Sequence, residues 1–214
     1  MQYPGQRIQV DCKYVPLECT KAMGEGVRMF QFTAIDEYSR QRYLEAFEDN
    51  SSYSAAIFIE HAIAFFKYPI ECAQTDNGQE FTKYFGHDKR RELSPTMFQK
   101  VLYAHRIIHK QIRAYTPRHN GKVERSHRKD NERFYSKHRF YSLDDLQRQL
   151  KRYMREYNST PMRPSAGNRL MNTSPIFLTA MCNKCLTNLH FLKMQKISYE
   201  IYIVFHIDML NDYP

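Results

Sequence analysis

Residues 7–15 read Arg-Ile-Gln-Val-Asp-Cys-Lys-Tyr-Val. Ile8, Val10, Cys12 and Tyr14 fall on one side of the alternation, and Arg7, Gln9, Asp11 and Lys13 on the other. Only an extended strand sends successive side chains to opposite faces, so this segment has to lie on a sheet with one face turned to a core. Met29–Ile35 and Arg42–Phe47, rich in aromatic and branched residues, read as two more strands. Asp36-Glu37-Tyr38-Ser39-Arg40 between them has turn chemistry, and three early strands with short joins predict an antiparallel meander. Ser54–Phe66 then carries Ala55, Ile59, Ala62, Ile63 and Phe66 close to helical spacing, with Ser51 or Ser52 as N-cap and Pro69 as the stop. A buried strand, Ile70–Thr75, is reached through that helix and is therefore expected parallel to the first. Asp76 falls at its carboxyl end, where open α/β sheets place ligands.

Farther on, Thr82–Leu93 is polar and reads as a loop. Ser94-Pro95 looks like a helix start, with Ser94 as cap and a helix running through Met97, Val101, Leu102 and His105. Ile107–Tyr115 is the fifth strand, broken by Thr116-Pro117. Helices follow over Gly121 to about Lys137 and over Ser142–Tyr157; Ser142 with Asp145 makes a capping-box variant. Residues 1–158 thus form one α/β domain. After Asn158 the texture changes, and residues 159–214 read as an arm containing Pro161, Pro164 and Gly167 followed by an atypical tail with strand-like alternation over 197–207.

Charge is unevenly spread. Residues 1–86 carry a net −4, residues 87–169 a net +13 and residues 170–214 balance, giving +9 over 214 residues. A basic block of this size is an electrostatic footprint for a polyanion; a solvated basic face is the plainer alternative. Hydrophobic residues at 42% suffice for a packed core. No stretch approaches the ~20 apolar residues of a membrane span, and no secretory signal opens the chain. Five irregularly spaced cysteines argue against a disulfide framework. The expectation is a soluble protein of the reducing cytoplasm. Cys182-Asn183-Lys184-Cys185, with His190 and His206, resembles half a zinc site, a weak signal without a second close pair.

Three acids stand apart from this background. Asp11 sits on the polar side of the first strand, a position that is ordinarily just solvated. Asp76 opens Asp-Asn-Gly, which is also common turn chemistry. Glu124 lies one turn into a helix, where an acid also suits the dipole, yet Arg118, Lys122, Arg125, Arg128 and Lys129 surround it in sequence. If the first and fourth strands are neighbours, Asp11 and Asp76 project at one edge. Two carboxylates ~4 Å apart repel by about 4 kcal/mol at an effective dielectric near 20. A cation between them relieves that repulsion, and hard divalent cations prefer carboxylate oxygens.

Val10-Asp11, Thr75-Asp76-Asn77-Gly78-Gln79-Glu80-Phe81 and Thr116-Pro117-Arg118-His119-Asn120-Gly121-Lys122-Val123-Glu124-Arg125 together resemble the integrase catalytic core of bacterial insertion-sequence transposases, the retroviral-integrase-like group with an Asp-Asp-Glu triad. The likeness runs from about Pro4 to Leu178 and takes in Ala34–Arg40, Pro161–Pro164 and Ser174-Pro175. It implies a ribonuclease-H-like fold, a five-stranded mixed sheet flanked by helices, with residues 1–158 as the catalytic core. It implies that Asp11, Asp76 and Glu124 are catalytic and bind two Mg2+ or Mn2+ ions. It further implies hydrolysis at transposon ends, joining of the freed 3′-hydroxyl to target DNA, and assembly into a homo-oligomer. Asp36 matches a family position outside the triad and is expected to cap its own turn. Arg118, His119, Asn120, Lys122, Arg125, Arg128 and Lys129 are the DNA-binding candidates, with Lys122 and Arg128 foremost for phosphate. His127 and His138 read as surface residues.

The sequence departs from the pattern in three places. Asn131 stands where many relatives have a base seven residues after the Glu. The 47 residues between Asp76 and Glu124 exceed the usual spacing, and the excess is expected in Tyr84–Thr96, with Lys89, Arg90 and Arg91 toward DNA. The chain also begins almost at the catalytic strand, without the helix-turn-helix modules that read transposon ends. Two rival readings follow: a ribonuclease-H-like nuclease that only hydrolyses, and a truncated, non-catalytic DNA-binding remnant that inhibits a full-length enzyme.

Overall fold

A computed structural model describes residues 1–82, 94–112 and 121–160, all within one unit, Met1–Met162. Its strands are β1 (Ile8–Tyr14), β2 (Phe30–Asp36), β3 (Arg42–Phe47), β4 (Cys72–Thr75) and β5 (Ile108–Gln111). They form one sheet in the order β3-β2-β1-β4-β5. β1, β2 and β3 pair antiparallel, as the meander predicts, while β4 lies parallel to both β1 and β5. The helices are α1 (Leu17–Thr20), α2 (Ser52–Phe65), α3 (Met97–Ala104), α4 (Gly121–Arg133) and α5 (Leu143–Ser159).

The alternation in β1 decides which layer covers which face. Ile8 and Val10 join Phe32, Ala34, Ala55, Phe58, Phe98 and Leu102 in a core beneath α2 and α3. On the other face Leu44 and Ala46 of β3 pack with Leu146, Leu150 and Met154 of α5 and with Phe134, Tyr135 and Phe140. Every residue of β2 is buried, because that strand lies inside the sheet between two helical layers. The face carrying Gln9, Asp11 and Lys13 is therefore covered by α4 rather than solvated. Polar pattern and solvent exposure part company here because the covering helix is itself polar.

Local sequence sets most boundaries. Ser51 caps α2, accepting from the Ser54 N–H at 3.2 Å, and the helix stops at Phe65, four residues before Pro69. Ser94 does not cap α3, contrary to expectation. Thr96 does: its hydroxyl accepts from Gln99 N, and the Gln99 side chain accepts from Thr96 N, a complete capping box. Reciprocal satisfaction of two donors outweighs the Ser-Pro signal. Ser142 caps α5, but Asp145 reaches back to the Tyr141 N–H instead of to its own cap residue. The helix expected over 121–137 ends at Arg133 and is followed by a 3-10 turn, Tyr135–Lys137. β5 is shorter than expected, and the remainder of 107–115 beyond Ile112 lies outside the described residues. So do the loop candidates Lys89, Arg90 and Arg91, the arm and tail from 161 onward, and Cys182 and Cys185. Cys12, Cys19 and Cys72 are free thiols. Among the described residues no helix is long and apolar enough to cross a membrane.

Candidate active site

β1 and β4 pair in parallel with Ile8 opposite Ala73 and Gln9 opposite Gln74. Carrying that register two residues onward sets Asp11 beside Asp76, on adjacent strands that lie roughly 4.8 Å apart. Asp11 is only 15% exposed at its side chain. Burial, followed by the negative charge of Asp76 and, more weakly, of Glu80 and Glu124, pushes its carboxyl up to about 7 against a pull from the Cys12 N–H. A carboxyl kept so close to neutrality is a site short of positive charge.

The loop after β4 explains its own sequence. Asp76 Oδ1 accepts from the Gly78 N–H at 3.0 Å, which leaves its second oxygen available. Asn77 donates to the Ile112 carbonyl at 3.1 Å, tying the loop to the end of β5. The Glu80 carboxylate folds over Gly78; a Cβ there would stand 2.6 Å from Glu80 Oε2, so a larger residue would have to turn that carboxylate aside. Phe81 then drops into the core against Phe32 and Phe98. Burial and the nearby Asp76 also raise the Glu80 carboxyl, so this fourth acid adds to the negative field.

The third acid arrives on α4. The buried face of that helix is Val123, Ser126 and Asp130, at helical spacing but mostly polar. Val123 N–H donates to Gln9 Oε1 at 3.2 Å. Arg42 of β3, fully buried, donates to Ser126 Oγ and Asp130 Oδ1, each at 2.6 Å. Gln31 of β2 and Tyr153 of α5 also donate to Asp130, at 3.0 Å each. The Arg42 guanidinium lies over the Tyr157 ring, 3.7 Å from its carbon to the centroid, while its buried Nε and Nη2 make no hydrogen bond among the described residues. A paired and multiply hydrogen-bonded buried charge of this kind fixes a helix in register. It holds α4 so that Glu124 faces outward, exposed, in a shallow depression of about 280 Å³ lined with Gly121, Arg125 and Arg128.

Among the described residues no group of three or more aspartate, glutamate, histidine or cysteine side chains is drawn together closely enough to hold a metal ion. The donor chemistry nonetheless suits a hard cation: two strand acids in register, one acid on the helix, and burial that together with the neighbouring negative charge holds Asp11 near neutrality.

The basic candidates divide. Arg125 and Arg128 are exposed and Lys129 half-exposed. Lys122 is engaged: it donates to Glu37 Oε2 at 2.8 Å. Despite partial burial, hydrogen bonds from Arg7, Lys122 and Gln9 hold the Glu37 carboxyl at about 2. Arg118, His119 and Asn120 lie outside the described residues. Asp36 is the turn cap expected of it, accepting from Ser39 N at 2.9 Å and Tyr68 Oη at 3.2 Å.

The comparisons with known proteins agree with this architecture. Two family models, both described as integrase core domain, match residues 2–117 and 105–168. The chain belongs to the integrase core domain family. The ORF3 protein of Spiroplasma virus SpV1-C74, named for a proposed integrase role, is 27% identical over 156 residues, which are 71% of this chain and 42% of that protein. This chain thus spans less than half the length of that relative. Among solved structures, the HTLV-2 integrase catalytic core domain in complex with magnesium is 18% identical with a TM-score of 0.51, covering 78% of this chain and 95% of that one. The BIV integrase catalytic core domain is 16% identical with a TM-score of 0.52, covering 86% and 99%. An intasome of simian T-cell lymphotropic virus is 17% identical with a TM-score of 0.52, covering 81% and 62%. These likenesses establish a five-stranded, ribonuclease-H-like integrase-core fold.

Within this integrase core two residues carry more than their sequence suggested. His127 is not a surface residue. Its ring, 13% exposed, lies between Thr33 and Asp11, with Nδ1 3.5 Å from Asp11 Oδ2 and Nε2 3.1 Å from Thr33 Oγ1. Burial and then Lys13 push its pKa down to about 3, so the imidazole is neutral at pH 7. Lys13, from β1, reaches Asn131 Oδ1 at 2.8 Å. A cation therefore does stand at position 131, delivered by a different element. Two-residue periodicity placed Lys13 on the right face but could not reveal its neighbour on a helix 118 residues away.

Proposed function

We propose that this chain is the catalytic core of a transposase or integrase, a polynucleotidyl transferase that cuts the ends of a mobile DNA and joins them to a target. The parallel β1–β4 register, which sets Asp11 beside Asp76, carries this reading. The family supports it further, since integrase-core relatives include a protein described in complex with magnesium. Asp11, Asp76 and Glu124 would hold two Mg2+ or Mn2+ ions. Bound there, such ions activate water or a 3′-hydroxyl and stabilise charge on the reacting phosphate.

The chain's own residues do the rest. Gly78 N–H holds one Asp76 oxygen and so aims the other. Neutral His127 presents Nδ1 toward Asp11 without adding charge. The Arg42–Asp130 pair fixes the helix that bears Glu124. Arg125 and Arg128, which line the depression holding Glu124, and Lys13 serve as phosphate contacts, with Lys129, Arg118, His119, Asn120 and Lys122 as further candidates. DNA is the proposed partner, and a homo-oligomer the proposed assembly, because two mobile-element ends must be joined together.

The test is a Mg2+-dependent reaction with a pre-cut DNA end bearing a free 3′-hydroxyl and a second duplex. Covalent joining of the two DNAs is the expected product. Cleavage of intact ends without joining would mark a nuclease instead, and DNA binding without either reaction would mark a silent remnant.

A further inference from the structure

Asp76 is held from the far side of the sheet as well as from its own loop. The Thr75 side chain points to the opposite face, toward α3. Its Oγ1 donates to the Asp76 carbonyl at 2.8 Å and lies 2.8 Å from His109 Nε2 on β5. A hydroxyl has one proton, so with that proton given to the Asp76 carbonyl, His109 must donate from Nε2. Nδ1 is then an acceptor, and the Gln99 side-chain amide stands 3.4 Å away to donate to it. The other end of that same amide, Gln99 Oε1, accepts from Thr96 N at 3.0 Å, and Thr96 Oγ1 donates to the Phe81 carbonyl at 3.2 Å. The His109 ring is further steadied edge-on by Phe98, 5.5 Å between centroids. Both ends of the Asp76–Phe81 loop are thereby anchored to one capping box on α3.

We propose that His109 is a positioning residue for Asp76. Acting through Thr75, it fixes the peptide from which the carboxylate leaves β4, and so tunes how tightly the site holds a divalent cation. The inference rests on Asp76 being a cation ligand. Position alone would make His109 an ordinary link between β4 and β5. The difference is that its hydrogen-bond chain ends on the carbonyl of Asp76 rather than on a ladder partner. The imidazole is one donor and one acceptor in line, and no apolar side chain of similar size supplies both.

The experiment is a Mn2+ titration of the purified full chain, without DNA, read by the free-ion electron paramagnetic resonance signal. Wild type is compared with His109→Phe, His109→Gln, Thr75→Val and Asp76→Asn. Removing partners that orient a metal ligand weakens metal affinity by about 10- to 100-fold. His109→Phe keeps the contact with Phe98 but loses both hydrogen bonds, and is expected at the low end, about tenfold weaker, because it acts through Thr75. Thr75→Val should match it. Combining the two should cost no more than either alone, since both break one chain. His109→Gln, with an amide donor near the Nε2 position, should recover most of the affinity. If His109→Phe does not fold, Thr75→Val alone decides. Wild-type affinity in these variants, or equal loss in His109→Gln and His109→Phe, overturns the inference while leaving the site intact. A wild-type protein with no Mn2+ binding that Asp76→Asn abolishes overturns the metal reading itself, and this inference with it.

Discussion

Asp11→Asn should make the metal-free protein more stable at pH 8 while destroying its activity. Burial and the neighbouring acids move the Asp11 carboxyl from 3.8 to about 7. At about 1.4 kcal/mol per tenfold change in proton affinity, that corresponds to roughly 4 kcal/mol between ionised and protonated forms in the fold. Below about pH 4 Asp11 is protonated whether folded or unfolded and adds no pH dependence. Between pH 4 and 7 the unfolded chain gives up the proton while the folded carboxyl retains it. The folded state then binds more protons, and stability falls as pH rises. Above pH 7 the full penalty stands. Asparagine keeps the shape without the charge, so its advantage should be near zero at pH 4 and reach a few kcal/mol at pH 8. Urea unfolding in excess chelator at the two pH values measures it. Mg2+ should then stabilise wild type more than Asp11→Asn, which has lost one of the three proposed carboxylate ligands. Equal stability of the two proteins at pH 8 in chelator would refute the reasoning, since it would mean that Asp11 carries no electrostatic strain. This is the trade expected where a site is built for a ligand rather than for the fold.

Other consequences follow from the polar layer under α4. Asp130→Ala strands the buried Arg42 cation and should cost about 3–5 kcal/mol in urea unfolding, whereas replacing both residues with apolar ones should cost less; a loss below about 1 kcal/mol would argue against the network. Lys13→Met should weaken DNA binding and lower the slope of log affinity against log salt by about one. Because burial brings the Lys13 ammonium down to about 8, wild-type DNA affinity should fall between pH 7 and 9 and the Lys13→Met affinity should not. Arg128→Ala should lower the salt slope similarly without altering the unfolding midpoint, as its side chain is exposed.

Most of the sheet could be read from the chain because its strands announce themselves locally. Arg42–Phe47 has the very limits expected, and β1 differs by one residue at each end. The parallel placement of β4 followed from the intervening helix alone. Helix ends were less legible where two cap signals competed, as Ser94-Pro95 did with Thr96. α1 went unseen because four residues cannot display a helical period. Of the site, the two strand acids were visible since a two-residue period and a strand's carboxyl end are local facts. The pairing of Arg42 with Asp130, of Lys13 with Asn131 and of His127 with Asp11 was not visible. Those contacts bridge segments that only packing brings together. Polar residues at helical spacing on α4 also read as a solvated face until the sheet beneath is known to be polar too.

The most direct measurement is anomalous X-ray diffraction from crystals of the full chain grown with Mn2+. The account predicts density for a first ion shared by Asp11 and Asp76 and for a second that draws in Glu124. Ions located elsewhere on the molecule, with Asp11 and Asp76 contacting none, would contradict it.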